Sequence, residues 1–324
     1  MRALKWGLIG AGDIARRRIA PAIAELDSCE LIAVSRGRAE RAEGFASEFG
    51  IGRWYSDWRE LLADEDVCAV YIATPVCLHA EQAIAAAKAG KHVLCEKPMA
   101  MDVRECDAMI AAAHANNVKL GVAYYRRFYP VLERVRQLIA AGEIGKPVFA
   151  QMNAFEYVDI ADDDPRHWFI EKAKSGGGPM MDFGCHRIEV LTDLFGKVNR
   201  IQGMTANVFF NREVEDTAAV LLQFESGTCA SVVVTHAARE SQDTLDIFGT
   251  EGSIHIARLN SGEIRINDAA GERSESHPPA ANLHKPLIED FARAVLSDRE
   301  PRVGGATGRV IAEIEDKIYG RQTG

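Results

Sequence analysis

A chain of 324 residues is longer than one hydrophobic core usually supports, so two domains are expected. Its apolar (47%) and charged (26%) fractions exclude a disordered chain, and a net charge of −9 argues against a general binder of nucleic acid or of acidic membranes. The seven cysteines form no C-x-x-C pair, the N-terminus lacks the order of a signal peptide, and no apolar run approaches the roughly 18 residues of a bilayer span; a cytoplasmic, membrane-free protein with reduced thiols is expected.

Leu4–Ile9 reads as a strand, followed at once by Gly10-Ala11-Gly12-Asp13-Ile14-Ala15. This is the G-x-G-x-x-A form of the dinucleotide fingerprint, whose small residues allow a tight turn, close approach of a pyrophosphate and tight helix packing. A purely structural glycine turn is the other reading. The second strand, Leu31–Val34, runs into Ser35-Arg36-Gly37-Arg38, with Arg41 in the helix beyond. NAD enzymes place an acid here for the ribose 2′-OH. Its absence, with Ser35, Arg36 and Arg41 able to hold a 2′-phosphate, predicts NADP in preference to NAD; a solvated basic helix start is the alternative.

The strand Ala69–Ala73 ends in Thr74-Pro75-Val76-Cys77-Leu78-His79, and a small-residue helix over 80–89 follows, suited to packing along a cofactor. His79 is either a base or a ring that caps the helix and bonds backbone. The strand Lys91–Leu94 delivers Cys95-Glu96-Lys97-Pro98. Because α/β sheets bind ligands outside the carboxyl ends of their strands, Lys97 is the first catalytic candidate, against the reading of a solvated lysine in a turn. A helix over 102–116 and a strand over 118–122 complete an alternation that fits a doubly wound parallel sheet in residues 1–123.

After an aromatic and basic segment, Tyr124-Tyr125-Arg126-Arg127-Phe128-Tyr129-Pro130, and a helix over 131–141, strands follow one another: 148–158, 201–210, 217–224, 228–236, 244–248, then shorter ones over 253–256 and 263–266. Residues 124–324 therefore read as an α+β domain with a large, open, mostly antiparallel sheet, ending in helices over 287–296 and 310–319. Within it, Gly176-Gly177-Gly178 precedes a helical pattern in which Asp182 and His186, four apart, share a face. The pair can serve as a general acid–base, as two metal ligands lacking a third, or as a structural hydrogen bond. His236, His255 and His277 have no spaced partner and read as structural or solvated.

In their order and spacing, Gly10-Ala11-Gly12, Glu96-Lys97-Pro98, Arg126-Arg127-Phe128 and the Gly176-Gly177-Gly178…Asp182…His186 helix resemble the Gfo/Idh/MocA family of NAD(P)-dependent sugar and polyol oxidoreductases. The resemblance implies a Rossmann domain followed by a domain for substrate binding and for assembly as a homodimer or homotetramer. It implies that Lys97 touches nicotinamide ribose and substrate, that Asp182 and His186 handle the proton of a substrate hydroxyl, and that the Lys97-Pro98 peptide is cis. Gly10, Ala11, Gly12, Asp13, Ile14, Ser35, Arg36, Arg41, Thr74, Pro75, His79, Glu96, Lys97 and His284 would line the cofactor; Tyr157, His167 and Trp168 would wall the substrate; no metal is implied. The chain departs from the family at Trp168-Phe169, where relatives often carry Trp-Arg, at Asn282-Leu283-His284, where many carry Asn-x-Tyr, and at Tyr124-Tyr125 in place of polar residues. A sensor that binds cofactor without turnover, and a glycosidase that retains a bound NAD, are the alternatives within the resemblance.

Overall fold

The computed structural model describes residues 3–321. The chain forms two compact units: residues up to Tyr125 together with Ala281–Ala312, and Arg126–Ala280 together with residues from Glu313 on.

The first unit is built on six parallel strands, β1 (Leu4–Ile9), β2 (Cys29–Ser35), β3 (Arg53–Tyr55), β4 (Ala69–Ile72), β5 (His92–Cys95) and β6 (Leu120–Val122), in the order β3-β2-β1-β4-β5-β6. Helices cover a parallel sheet on both faces, so its strands read as continuous apolar runs. All four residues of β4 and the Val93-Leu94-Cys95 end of β5 are buried accordingly. Strand order reverses between β1 and β4, and loops leaving strands on either side of such a reversal form the crevice that takes ligands in open α/β sheets. The expected Rossmann sheet is borne out.

One boundary near residue 123 does not describe this unit, because the chain returns to it. The helix Lys285–Leu296 places Phe291 against the fully buried Trp6 of β1, ring centroids 5.5 Å apart. Gly121 of β6 leaves room for that ring, since a Cβ there would stand 2.7 Å from Phe291. The sequence places the late helix with the second domain, because nothing in its own pattern distinguishes which sheet it covers.

The second unit carries eight strands: β7 (Pro147–Tyr157), β8 (Val198–Ala206), β9 (Thr217–Phe224), β10 (Cys229–Thr235), β11 (Ala237–Gly249), β12 (Ser253–Ile256), β13 (Glu263–Asp268) and β14 (Gly271–Ser276). Their order is β14-β13-β12-β11-β7-β10-β9-β8, and among the described strands β10 and β7 pair parallel while the other neighbours pair antiparallel. One face is buried through Val220, Leu222, Val232, Val234, Leu245 and Ile247; the alternate residues face outward. The expected antiparallel character is borne out, with local differences, among them β11, which runs over Ala237–Gly249 where 244–248 is expected. The strand read over 201–210 starts at Val198 and stops at Ala206, because the Asp216 carboxylate accepts the backbone N–H groups of Val208, Phe209 and Phe210 and turns the chain away from the ladder. β14, rich in Ser, Glu and Arg, lies at the sheet edge and lacks the apolar alternation that reveals a strand.

Candidate active site

The fingerprint turn occupies the expected place. Gly10 adopts φ +97°, and a Cβ on it would stand 2.5 Å from the Ala73 carbonyl oxygen, so the loop leaving β1 packs backbone to backbone on the loop leaving β4. Only glycine meets both demands. Gly12 is different: among the described residues, no atom beyond its two chain neighbours lies within 4 Å of where its Cβ would be. Its smallness is not required by the protein's own packing, which fits a turn kept open for a group approaching the backbone. Ala11 is buried, whereas Asp13 and Ile14, opening the helical run through Ala15–Ile19 and Ala20–Ala24, are exposed.

The end of β2 is tied to this turn. Gly10 N–H donates to the Ser35 carbonyl at 3.1 Å, and Arg36 Nη1 donates to the Ala11 carbonyl at 2.7 Å. The Arg36 guanidinium is held below its ordinary pKa by burial and then by the cations of Arg41, Arg16 and Arg38. Arg16 is ion-paired with Glu48, but among the described residues Arg36, Arg38 and Arg41 have no acidic partner. Like charges gathered without counter-charge among the described residues, beside an open glycine turn, have the chemistry that attracts an anion.

At the end of β4, Thr74 Oγ1 donates to Gln82 Oε1 at 2.7 Å, and Thr74 and Pro75 are partly buried. His79 is 1% exposed, with Nε2 2.8 Å from the Thr74 carbonyl oxygen and Nδ1 3.0 Å from that of Pro98. Burial holds its pKa below the ordinary value although both carbonyls favour the protonated ring. Each ring nitrogen faces a backbone acceptor, so His79 serves as a strut between two site loops, and the expectation of a cofactor contact or a base at this ring is not what its geometry supports.

That strut steadies the segment carrying Lys97, whose peptide to Pro98 is cis. Beyond it, Asp102 accepts the Glu105 N–H at 2.9 Å while Glu105 accepts the Met101 N–H at 2.9 Å, a reciprocal cap that starts the helix Val103–Ala115. Glu96 is buried beneath the lysine. Its carboxylate accepts the Tyr71 hydroxyl at 2.8 Å and the Lys97 N–H at 3.2 Å, and lies 3.4 Å from His284 Nε2. Burial alone would raise its pKa, but His284, Lys97 and Tyr71 together bring it below the ordinary value, so it is a buried anion. His284 is 2% exposed and stacks on Tyr125, centroids 4.6 Å apart; its loop is pinned by Asn282, which donates to the Arg18 carbonyl at 2.8 Å. Sequence reasoning did not foresee that Tyr71, inside an apolar strand, would be the hydroxyl that holds Glu96.

In the second unit the glycine run is organised by a residue the sequence did not single out. Glu215 accepts the N–H of Gly178 at 2.9 Å, that of Met180 at 3.2 Å and the Tyr319 hydroxyl at 2.7 Å. A Cβ on Gly177 would strike that hydroxyl at 2.3 Å, and one on Gly178 the Glu215 carbonyl at 1.9 Å. Asp182 lies in a widened, π-type turn over Met180–Gly184 that leads into the helix Cys185–Phe195 with the buried His186, and such turns recur at functional sites. The Asp182 carboxylate is partly open, and its Oδ2 lies 3.8 Å from Nε2 of His236. Nearby, the Glu156 carboxyl is pushed up by partial burial and by the Asp182 charge, and Asp243 is paired with both Arg126 and Arg187. Tyr157 packs on Phe210 and carries the Arg239 guanidinium over its ring at 4.2 Å; Trp168 stacks on Phe169, and His167 Nδ1 lies 3.2 Å from Glu171. His255 and His277 lie 2.7 and 2.8 Å from the carboxylates of Asp246 and Glu275. Among the described residues no group of three His, Cys, Asp or Glu is placed to hold a metal, and no helix is long and apolar enough to cross a membrane.

A doubly wound sheet with an open glycine turn and a lysine at a strand end defines a dinucleotide-dependent oxidoreductase. The comparisons agree. Residues 4–124 match the model of the GFO_IDH_MocA oxidoreductase family, NAD-binding Rossmann fold, and 132–255 that of the GFO/IDH/MocA C-terminal domain. The chain is 32% identical to 1,5-anhydro-D-fructose reductase of Ensifer adhaerens over 94% of its length and 92% of that protein. It is 29% identical to D-xylose 1-dehydrogenase (NADP(+)) 2 of Haloferax volcanii, over 98% and 96%. It is also similar to the structure of levoglucosan dehydrogenase in complex with NADH and levoglucosan, with TM-score 0.91, 28% identity and coverage of 99% and 97%. This chain belongs to the Gfo/Idh/MocA oxidoreductase family, and it is a dehydrogenase or reductase of that class.

Proposed function

We propose that the protein is an NADP(H)-dependent oxidoreductase acting on a hydroxyl or carbonyl carbon of a sugar, polyol or related carbohydrate. The observation that carries the reading is the group Arg36, Arg38 and Arg41, without acidic partners among the described residues, beside the turn that Gly12 leaves open. The names of its relatives, a reductase of 1,5-anhydro-D-fructose and an NADP(+) xylose dehydrogenase, support both the cofactor and the carbohydrate class.

In this reading Gly10 and Gly12 admit the pyrophosphate, and Ser35, Arg36 and Arg41 hold the 2′-phosphate by charge-assisted bonds. The bound nicotinamide supplies or accepts the hydride. Lys97 polarises the substrate oxygen, where negative charge develops during reduction, and Glu96 beneath it anchors the residue by accepting the Lys97 backbone N–H. His186, oriented through Asp182, gives or takes the hydroxyl proton. Tyr157, His167 and Trp168 offer an aromatic wall to a polar ring. The outward apolar residues Met204 and Leu221 of the second sheet support assembly as a homodimer or homotetramer, and a cytoplasmic location belongs to the same reading.

A panel of 1,5-anhydro-D-fructose, levoglucosan and D-xylose, with both cofactors in both directions, tests the assignment. Efficiency at least tenfold higher with NADP(H) is expected, and a clear preference for NAD(H) would refute the cofactor assignment. Lys97→Met should lower turnover on the best sugar about a thousandfold or more while leaving NADPH binding near parental. Near-normal turnover in that variant excludes the proposed role of the lysine.

A further inference from the structure

His236 follows β10 and is 2% exposed, its ring edge-on to Phe183 at 4.8 Å. Both of its backbone polar groups are used, N–H to the Asp216 carbonyl at 2.8 Å and C=O from the Val158 N–H at 2.8 Å, so the position of the ring is fixed. Arg212 Nη2 lies 3.0 Å from Nδ1, and the same guanidinium donates to the carbonyls of Glu215 at 3.2 Å and Val158 at 3.4 Å. A guanidinium can only donate. Nδ1 is therefore the acceptor, and the ring proton sits on Nε2. That nitrogen has no hydrogen-bond partner among the described residues and lies 3.8 Å from Asp182 Oδ2. A buried N–H without an acceptor is costly, and such groups in native proteins concentrate where chemistry needs them.

We infer that His236 is a positioning residue for Asp182: Arg212 fixes its tautomer, and its Nε2–H holds the Asp182 carboxylate in the orientation the proton relay requires. The inference rests on the reading of Asp182 and His186 given above. The separation is longer than a formed hydrogen bond, and catalytic hydrogen bonds commonly tighten when substrate binds. His255 and His277 differ in kind, since each already lies at bonding distance from a carboxylate.

The test uses the full chain, NADPH and the sugar of the panel turned over fastest. His236→Phe keeps an aromatic ring against Phe183 and removes both nitrogens. It should lower kcat roughly 10- to 100-fold with KM for NADPH unchanged. His236→Gln, whose amide N–H extends toward the Nε2 position, should recover most of that loss, which a purely packing role does not predict. Arg212→Met, which leaves the imidazole in place and releases Nδ1, should also lower kcat without moving KM for NADPH. The double variant Asp182→Ala/His236→Phe should be no slower than Asp182→Ala alone, because both changes remove one contact. Parental kcat in His236→Phe, or in Arg212→Met should His236→Phe not fold, overturns the inference, as does a double variant slowed by the product of the two single effects. A slow Asp182→Ala with a parental His236→Phe removes only the positioning role, whereas a fully active Asp182→Ala removes the relay itself.

Discussion

Gly12 and Gly178 belong to motifs that look alike in sequence, each a small-residue run opening a helix, yet the structure gives them opposite reasons to be glycine. At Gly178 the requirement is internal: an added Cβ would lie 1.9 Å from the Glu215 carbonyl oxygen, which is backbone and has no rotamer to yield. At Gly12 no described residue beyond its two chain neighbours comes within 4 Å of the same position. One turn is small so that the protein can pack on itself; the other is small for the sake of something else. The first unit thus presents backbone and arginine charge outward, while the second spends its glycines on holding the Met180–Gly184 turn against Glu215 and Tyr319.

Two alanine substitutions separate those roles. Gly178→Ala should give the larger effect, a loss of about 3 kcal/mol in stability, since the clash must be relieved by moving backbone and breaking the Glu215 bonds. Thermal unfolding measures it, and a melting temperature within a degree of the parent would show that the Glu215 segment yields freely. Gly12→Ala should leave the melting temperature of the cofactor-free protein unchanged or slightly raised, because alanine loses less chain entropy on folding. Its NADPH affinity should fall roughly tenfold or more, equivalent to about 1.4 kcal/mol, through crowding of the approach to the backbone. Unchanged affinity in isothermal titration would remove Gly12 from the cofactor site and weaken the contrast.

The same contrast explains how much the sequence disclosed. The cradle of the first unit was legible because its parts lie at strand ends in a fixed order: Gly10 after β1, Ser35 and Arg36 after β2, Thr74 after β4, Lys97 after β5. A parallel sheet brings consecutive strand ends to one edge, so spacing along the chain becomes proximity in space. His79 was placed in the right neighbourhood, but the carbonyls that occupy its two nitrogens come from Thr74 and Pro98, and no local pattern announces such a bridge. In the second unit the Asp182 surroundings are collected from residues 156, 182, 212, 215 and 236, on separate strands and loops of an antiparallel sheet. His236 read as an isolated histidine because its partners lie 24 and 54 positions away, by subtraction of 212 and 182 from 236. The late helix carrying Phe291 is ambiguous in sequence for a related reason: its apolar stripe fits either sheet, and in the structure the Phe291 ring lies in the space above Gly121.

The smallest effect concerns how the edge of the second unit's sheet is held, and it turns on pH. Glu275, at the end of β14, accepts from Arg134 Nε at 2.7 Å and Nη2 at 2.9 Å, and lies 2.8 Å from His277 Nε2. The Arg134 bonds outweigh burial and bring its pKa down from 4.5 to about 2. A carboxylate whose folded value lies below its unfolded one binds fewer protons when folded, so its stabilisation is complete above about pH 4.5 and is lost as pH falls toward 2. Glu275→Gln should therefore cost about 1 to 2 kcal/mol at pH 7, reduced from the full linkage value because the pair is partly solvated. The gap between parent and variant in urea midpoint should narrow steadily between pH 4.5 and 2. Activity and NADPH affinity at pH 7 should stay parental, unlike Gly12→Ala, and a gap that stays constant with pH would mean the glutamate acts through packing and not through its charge.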